Sequence, residues 1–101
     1  MEVEQLLKIP SMTLKRLREE GDAYIILPYQ VKIARIELDG KRYKISRIGF
    51  LSIKQFEKAF LKETGYATLS DLLTEWKKMV NLAIVPQYVW VYRISLGGGR
   101  R

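Results

Sequence analysis

The dipeptide Asp39-Gly40 is the feature that most constrains this fold, because it joins two segments in which apolar and polar side chains alternate. A two-residue hairpin loop of type I′ requires positive φ at both positions, and Asp followed by Gly meets that requirement with little strain. Residues 30–38 and 41–49 are therefore predicted to pair as antiparallel strands. A chain with this hairpin near its centre contains a β-sheet, whatever surrounds it.

Hydrophobic periodicity and capping residues predict the remaining elements. Helical segments are expected before Gly21, with Ser11 as an N-cap, and after the capping residues Ser52 and Thr68. Apolar runs predict strands at 23–28 and 87–96, the second being apolar on both faces, as in a strand that is covered on both sides or that closes a small barrel. This order of elements predicts an α+β fold. The buried stripes of the two later helices are assigned to Ile53, Phe56, Ala59 and Phe60, and to Leu69, Leu72, Leu73, Trp76 and Val80.

The length of 101 residues, with 48% hydrophobic side chains, predicts one domain over residues 1–96. Residues 97–101 (Gly-Gly-Gly-Arg-Arg) are expected to be a flexible tail, because consecutive glycines lose much entropy on ordering. The chain has no run of about 18 apolar residues and no basic-then-apolar leader, so we expect a cytoplasmic protein without a membrane partner. A single Asn among many Ile, Lys and Glu residues is typical of thermophilic proteins.

The chain contains neither His nor Cys. Zinc, haem and blue-copper sites depend on imidazole or thiolate ligands, and Ser-His-Asp or Cys-His catalysis depends on the same groups. We therefore expect no metal and no cofactor. Hydrolysis would have to use a Lys, a hydroxyl and a carboxylate. The candidates for these roles are Thr13, Lys15 and Glu37, and residues of these types are more often surface residues of a helix or strand.

The net charge of +7 comes from 18 Lys and Arg residues against 11 Asp and Glu residues, and six of the cations fall in the predicted hairpin. Such an excess attracts polyanions through phosphate contacts and counterion release. The alternative is that these cations only keep an edge strand soluble. Tyr43 and Tyr29 are the preferred candidates for stacking on bases, whereas Trp90 is assigned to the core. The candidate nucleic-acid-binding residues are Lys15, Arg16, Arg18, Lys32, Arg35, Arg42, Tyr43, Lys44 and Arg47.

The segment from 42 to 96 resembles the ASCH domain, the activating signal cointegrator homology family of the PUA-like superfamily. The resemblance rests on the order RYKISRIGFLS, IKQFEKAFL, ETGYATLSDL, helix, and YVWVYRISL. It implies a small PUA-like β-barrel with helices packed on one side and a cleft that binds RNA or DNA. Some members hydrolyse RNA or a modified nucleoside with a Lys-Thr pair near the amino terminus. Here Gly21-Asp22 matches the family, but that Lys-Thr pair is missing, so the resemblance implies binding more than hydrolysis.

The expected function is therefore nucleic-acid binding, with RNA preferred, through a basic cleft beside a β-barrel. Two alternatives remain open from the sequence. One is a hydrolase of RNA or a modified nucleoside that uses Lys, Thr and carboxylate chemistry. The other is a protein-interaction module that meets an acidic partner through the same cations.

Overall fold

The computed structural model describes residues 7–97, and within them the chain forms one antiparallel sheet with helices. The predicted α+β class is confirmed. The elements are α1 (Ser11–Glu20), β1 (Asp22–Leu27), β2 (Arg35–Leu38), β3 (Lys41–Ser52), α2 (Ile53–Phe60), a 3₁₀ turn (Leu61–Thr64), α3 (Leu69–Val80) and β4 (Tyr88–Leu96). The predicted helical segment at the amino terminus and the predicted tail lie largely outside the described residues.

The four strands follow the order β1-β4-β3-β2, and all neighbouring strands are antiparallel. The sheet is open, with β1 and β2 at its two edges. Strand β4 is central, which explains why both of its faces are apolar. Closure into a barrel is not part of this arrangement and stays a prediction. Within residues 7–97, no helix has the length and hydropathy needed to cross a bilayer.

The hairpin forms as predicted, with φ of 53° at Asp39 and 78° at Gly40. Its first strand is shorter than predicted, because β2 covers only Arg35–Leu38. Residues 30–34 are not part of the strand, although the Ala34 carbonyl still accepts from the Ile45 N–H at 2.8 Å, and the backbone N–H of Val31 donates to the Tyr92 hydroxyl at 2.9 Å. The second strand is longer and continues to Ser52. Strand β3 therefore extends beyond the end of β2, the short edge strand.

The predicted helix boundaries are confirmed at three positions. Gly21 ends α1 with φ of 76°, and its N–H donates to the Leu17 carbonyl at 2.8 Å. Ser52 forms a capping box with Gln55 at the start of α2, and the Thr68 hydroxyl accepts from the Asp71 N–H at 3.1 Å at the start of α3. These contacts satisfy backbone groups that a helix end leaves without partners.

The prediction for Ser11 was wrong. Pro10 occupies the N-cap of α1 and Ser11 is the first helical residue. The N–H and hydroxyl of Ser11 both donate to the Glu75 carboxylate of α3, each at 2.9 Å. A charged acceptor from another helix thus takes over the role that the Ser11 hydroxyl was expected to play.

The sheet separates two hydrophobic clusters. On the side that we call the helix face, Phe56, Leu72 and Trp76 from α2 and α3 pack on Val89 and Val91. The buried indole N–H of Trp76 donates to the Ile26 carbonyl at 2.7 Å and fixes α3 to β1. Ala59, which was assigned to the buried stripe of α2, is exposed.

On the side that we call the opposite face, Ile25, Tyr43 and Tyr92 form a second cluster that is covered by Leu7 and Leu17. Leu17 belongs to α1, so this helix contributes to the core of the opposite face. The expectation that helices pack on one side therefore holds for α2 and α3, while α1 lies beside β1 and reaches the other cluster.

A β-bulge interrupts β3 between Arg47 and Gly49. Arg47 pairs with Tyr92 and Gly49 pairs with Val91, which leaves Ile48 as the extra residue. Side chains alternate between faces along a regular strand, so one extra residue changes which face the following residues occupy. Arg47 and Phe50 consequently lie on the same, opposite face. This placement determines what that face presents to solvent.

Candidate nucleic-acid interface

The structure divides the hairpin cations between the two faces of the sheet. Arg35, Arg42 and Lys44 lie on the helix face, at the hairpin end where their side chains remain exposed. Lys32 and Arg47 line a groove of about 400 Å³ on the opposite face, together with Ile45 and Tyr92. The nine candidates therefore do not converge on a single cleft.

We call the cations Arg35, Arg42 and Lys44 the basic patch. Arg35 is the direct cross-strand partner of Lys44, and Arg42 is the partner of Glu37. The three cations line a depression of about 360 Å³ that also includes Gly97. The N–H of Gly97 donates to the Arg42 carbonyl at 3.1 Å, so the chain remains beside β3 as far as this glycine.

The cations of the basic patch have no carboxylate partner within ion-pair distance among residues 7–97. The two ion pairs of that part of the chain join Arg18 to Asp39 at 2.6 Å and Arg93 to Asp22 at 2.8 Å. The hydrogen bond and charge of Asp22 raise the pKa of Arg93. Arg35 and Lys44 thus contact no acid among residues 7–97, and Arg42 has Glu37 as its cross-strand neighbour without forming an ion pair.

The predicted α1 cations have other surroundings. Arg18 reaches the hairpin turn, but its charge is offset there by Asp39. The Nε of Arg16 donates to the Asp22 carbonyl at 3.1 Å, and Lys15 is exposed on α1. Of these three residues, Arg18 is the one that the structure brings to the hairpin by a direct contact.

Two predicted site residues are buried and cannot act as expected. Tyr43 has 2% of its surface exposed and belongs to the core of the opposite face, so its ring cannot stack on a base. Thr13 is 0% exposed and its hydroxyl donates to the Thr64 carbonyl, so it fixes α1 to the 3₁₀ turn rather than facing a substrate. Lys15 and Glu37 are exposed on separate elements. Tyr29 remains partly exposed, and burial of the rest of its ring raises the pKa of its hydroxyl.

Sequence reasoning missed a group of three neighbouring rings on the opposite face, Phe50, Tyr88 and Trp90. The ring centroids of Phe50 and Tyr88 are 5.6 Å apart with 25° between planes, and those of Phe50 and Trp90 are 4.8 Å apart with 40° between planes. The Arg47 guanidinium lies 5.7 Å from the centroid of the Trp90 ring. Gly49 was the available signal, because glycine inside a strand pattern often marks a bulge.

A network of hydrogen bonds between polar groups joins α1 to α3. The Glu75 carboxylate accepts from the Tyr66 hydroxyl as well as from Ser11. Burial alone would raise the pKa of Glu75, but hydrogen bonds from Tyr66 and Ser11 outweigh it and leave this pKa below its usual value. Burial and the hydrogen bond to Glu75 raise the pKa of Tyr66. The network fixes the helices and is separate from the basic patch.

Comparison with known proteins gives no relative from which a function could be transferred: no family model, no curated protein and no solved structure matches the chain.

Proposed function

We propose that this domain binds nucleic acid, preferentially RNA, and that the basic patch contacts the phosphates. The observation that carries the proposal is the direct cross-strand pairing of Arg35 with Lys44, with no carboxylate in contact with either among residues 7–97. Like charges directly opposite each other destabilise a strand pair. A phosphate placed between the two cations converts that repulsion into two attractions.

The chemistry of the patch suits a phosphate backbone. The guanidinium groups of Arg35 and Arg42 can each donate two parallel hydrogen bonds to a phosphate, and Lys44 adds a compact charge. All three side chains are exposed, so contact with a ligand requires no rearrangement of the core. The net charge of +7 strengthens attraction at longer range, in a way that salt weakens.

The test is the salt dependence of binding to a labelled single-stranded RNA, measured by fluorescence anisotropy. Three phosphate contacts predict that the logarithm of the affinity falls with the logarithm of the salt concentration with a slope of about 2 to 3. In the variant R42A/K44A this slope should fall by about 1.4 to 1.8. The control K58A/K62A removes two exposed cations from α2 and the 3₁₀ turn. It should bind with a slope closer to that of the wild type.

Two results would overturn the proposal. One is the absence of RNA binding at about 50 mM salt, where phosphate contacts are strongest. The other is an equal loss in R42A/K44A and K58A/K62A, because binding would then depend on net charge and not on the patch. Displacement of the RNA by polyglutamate at much lower concentrations than by another RNA would redirect the proposal to an acidic protein partner.

We further propose that the domain is a PUA-like domain of the ASCH type. The support is the order of motifs from 42 to 96, in which Thr68 caps α3 and Gly65 ends the preceding turn with φ of 88°. The hydrolase alternative has less support, because the buried Thr13 hydroxyl is already donated to the Thr64 carbonyl. Incubation with labelled RNA and acylated nucleosides tests it, and turnover that survives Thr13→Val would show that Thr13 is not the reactive group.

A further inference from the structure

We propose that Phe50, Tyr88 and Trp90 form a stacking platform for unpaired bases, so that the ligand class of this domain is single-stranded nucleic acid. The inference rests on the proposed function for the identity of the ligand. The platform itself consists of different residues on a different face of the sheet from the basic patch. An experiment can therefore disprove either one and leave the other in place.

The rings are placed by the backbone of the sheet and not by mobile loops. Phe50 is the direct cross-strand partner of Trp90, and Ser52 is the partner of Tyr88. The three aromatic positions therefore share one face over two adjacent strands. Because the strands fix them, the rings can receive a base without first being ordered.

The exposure of the rings argues against a role in the core alone. Phe50 is 53% exposed and Tyr88 is 48% exposed, although both are large apolar residues. Cross-strand aromatic pairs do stabilise sheets, but such pairs gain most when they are buried, and these two are half in water. Neighbouring exposed rings on one face mark a site where a partner binds.

The charge around the platform selects a polyanion as that partner. The Arg47 guanidinium lies over the Trp90 ring, where it can also meet a phosphate. Lys32 shares a groove with Arg47, and the groove lining contains no carboxylate among residues 7–97. A second copy of this chain would bring another net charge of +7 to the same surface and would be repelled.

The groove lies between the basic patch and the platform in the order of residues along β3, on the same face as the platform and on the other face from the patch. Arg42 and Lys44 come first along the strand, Ile45 and Arg47 of the groove follow, and Phe50 comes last. A flexible single strand can follow this path around the short edge strand, whereas a duplex hides the faces of its bases inside the stack. Stacking on exposed rings therefore favours unpaired bases of any sequence.

The experiment compares an oligouridylate of about ten nucleotides with an RNA duplex of similar length, for the wild type and for F50A/Y88A. The double variant should lose about tenfold or more in affinity for the single strand and keep its affinity for the duplex. Its salt slope should not change, because no cation is removed. The matched control is Ile84→Ala, which truncates an apolar side chain that is 81% exposed elsewhere.

Tryptophan fluorescence gives a direct reading of stacking. Trp76 is 0% exposed, so quenching by the oligonucleotide must report on Trp90, and W90F should abolish it. Thermal melting followed by circular dichroism checks that each variant is folded.

Wild-type affinity of F50A/Y88A for the oligouridylate would overturn the platform while leaving the basic patch in place, provided that R42A/K44A still binds weakly. Loss of a concentration-dependent dimer in F50A/Y88A, with RNA affinity unchanged, would overturn it in favour of a second copy of the chain. Absence of any RNA binding by the wild type would remove the proposed function itself, an outcome distinct from both.

Discussion

The basic patch and the stacking platform both depend on β3, yet they present opposite chemistry on opposite faces. The patch consists of cations, with Arg35 directly across from Lys44. The platform consists of three rings with one guanidinium over Trp90. Electrostatic attraction by a patch of charges acts over a distance that decreases as the salt concentration rises. Stacking on aromatic rings requires direct contact and depends little on salt. The two regions can therefore be distinguished by how binding responds to salt.

The difference arises from what covers each part of the sheet. On the helix face, α2 and α3 pack around Val89 and Val91, and the hairpin end beyond them is left to charged side chains. On the opposite face the covered core lies near Ile25 and Tyr43, and the aromatic end is left open. Each face is thus buried at one end and leaves a cluster of exposed side chains at the other.

The largest expected effect is on the free energy of unfolding, and it should differ between substitutions of two tyrosines that lie on neighbouring strands. Tyr43→Ala removes a ring that is 2% exposed and should lower the free energy of unfolding by about 3 to 5 kcal/mol. Tyr88→Ala removes a ring that is 48% exposed and should cost about 1 kcal/mol or less. Urea denaturation followed by circular dichroism measures both. Similar costs for the two variants would mean that the platform is part of the core.

A charge reversal in the basic patch should give the next largest effect. R42E/K44E places two carboxylates where phosphates are proposed to bind, and RNA affinity should fall on the order of 100-fold at low salt. The control K58E/K62E makes the same change in net charge at exposed positions of the helical layer. A comparable loss in this control would show that total charge, and not the patch, determines affinity.

A change in the helical layer should alter stability without altering either surface. Glu75→Gln weakens the hydrogen bonds from Ser11 and Tyr66, and should cost about 1 kcal/mol at neutral pH. Because the folded pKa of Glu75 lies below its usual value of 4.5, its contribution is present above that pH and is lost as the pH falls through the folded value. The stability difference between variant and wild type should therefore shrink in acid. Thermal melts at several pH values measure it, and a difference that grew in acid would contradict the assignment.

The smallest expected effect tests the guanidinium over Trp90. Arg47→Lys keeps the charge but loses the planar group that lies 5.7 Å from the ring centroid. Affinity for single strands should fall by about two- to fivefold, and the salt slope should stay the same. Unchanged affinity of Arg47→Lys would show that the planar group over Trp90 contributes nothing to binding beyond its charge.

The sequence predicted the local features of the fold because they depend on local chemistry. Asp39-Gly40 adopts positive φ, and Ser52 and Thr68 cap their helices through residues three positions away. Where a distant partner intervened, prediction failed. Ser11 bonds to Glu75, which is 64 positions away, and Val31 bonds to Tyr92, which is 61 positions away. No local pattern in the sequence contains those contacts.

The site was less predictable than the fold, for a related reason. Which face of a strand is solvated depends on where the helical layer ends. Strand alternation separates Arg42 and Lys44 from Arg47, as the structure confirms, but it does not say which parts of the two faces are covered. The ring of Tyr43 was interpreted as exposed because basic residues flank it, although that alternation equally fits a buried tyrosine. Phe50 was overlooked because the bulge at Ile48 changes the alternation just before it.

That bulge has a consequence for the comparison of related sequences. Residues 47, 49 and 50 pair in order with residues 92, 91 and 90, so the ladder would be regular if Ile48 were absent. A relative that lacks this one residue can keep Phe50 and Leu51 on their present faces. Alignments of such relatives should place a single-residue gap at position 48, with aromatic residues retained at the positions of Phe50, Tyr88 and Trp90 on either side of it.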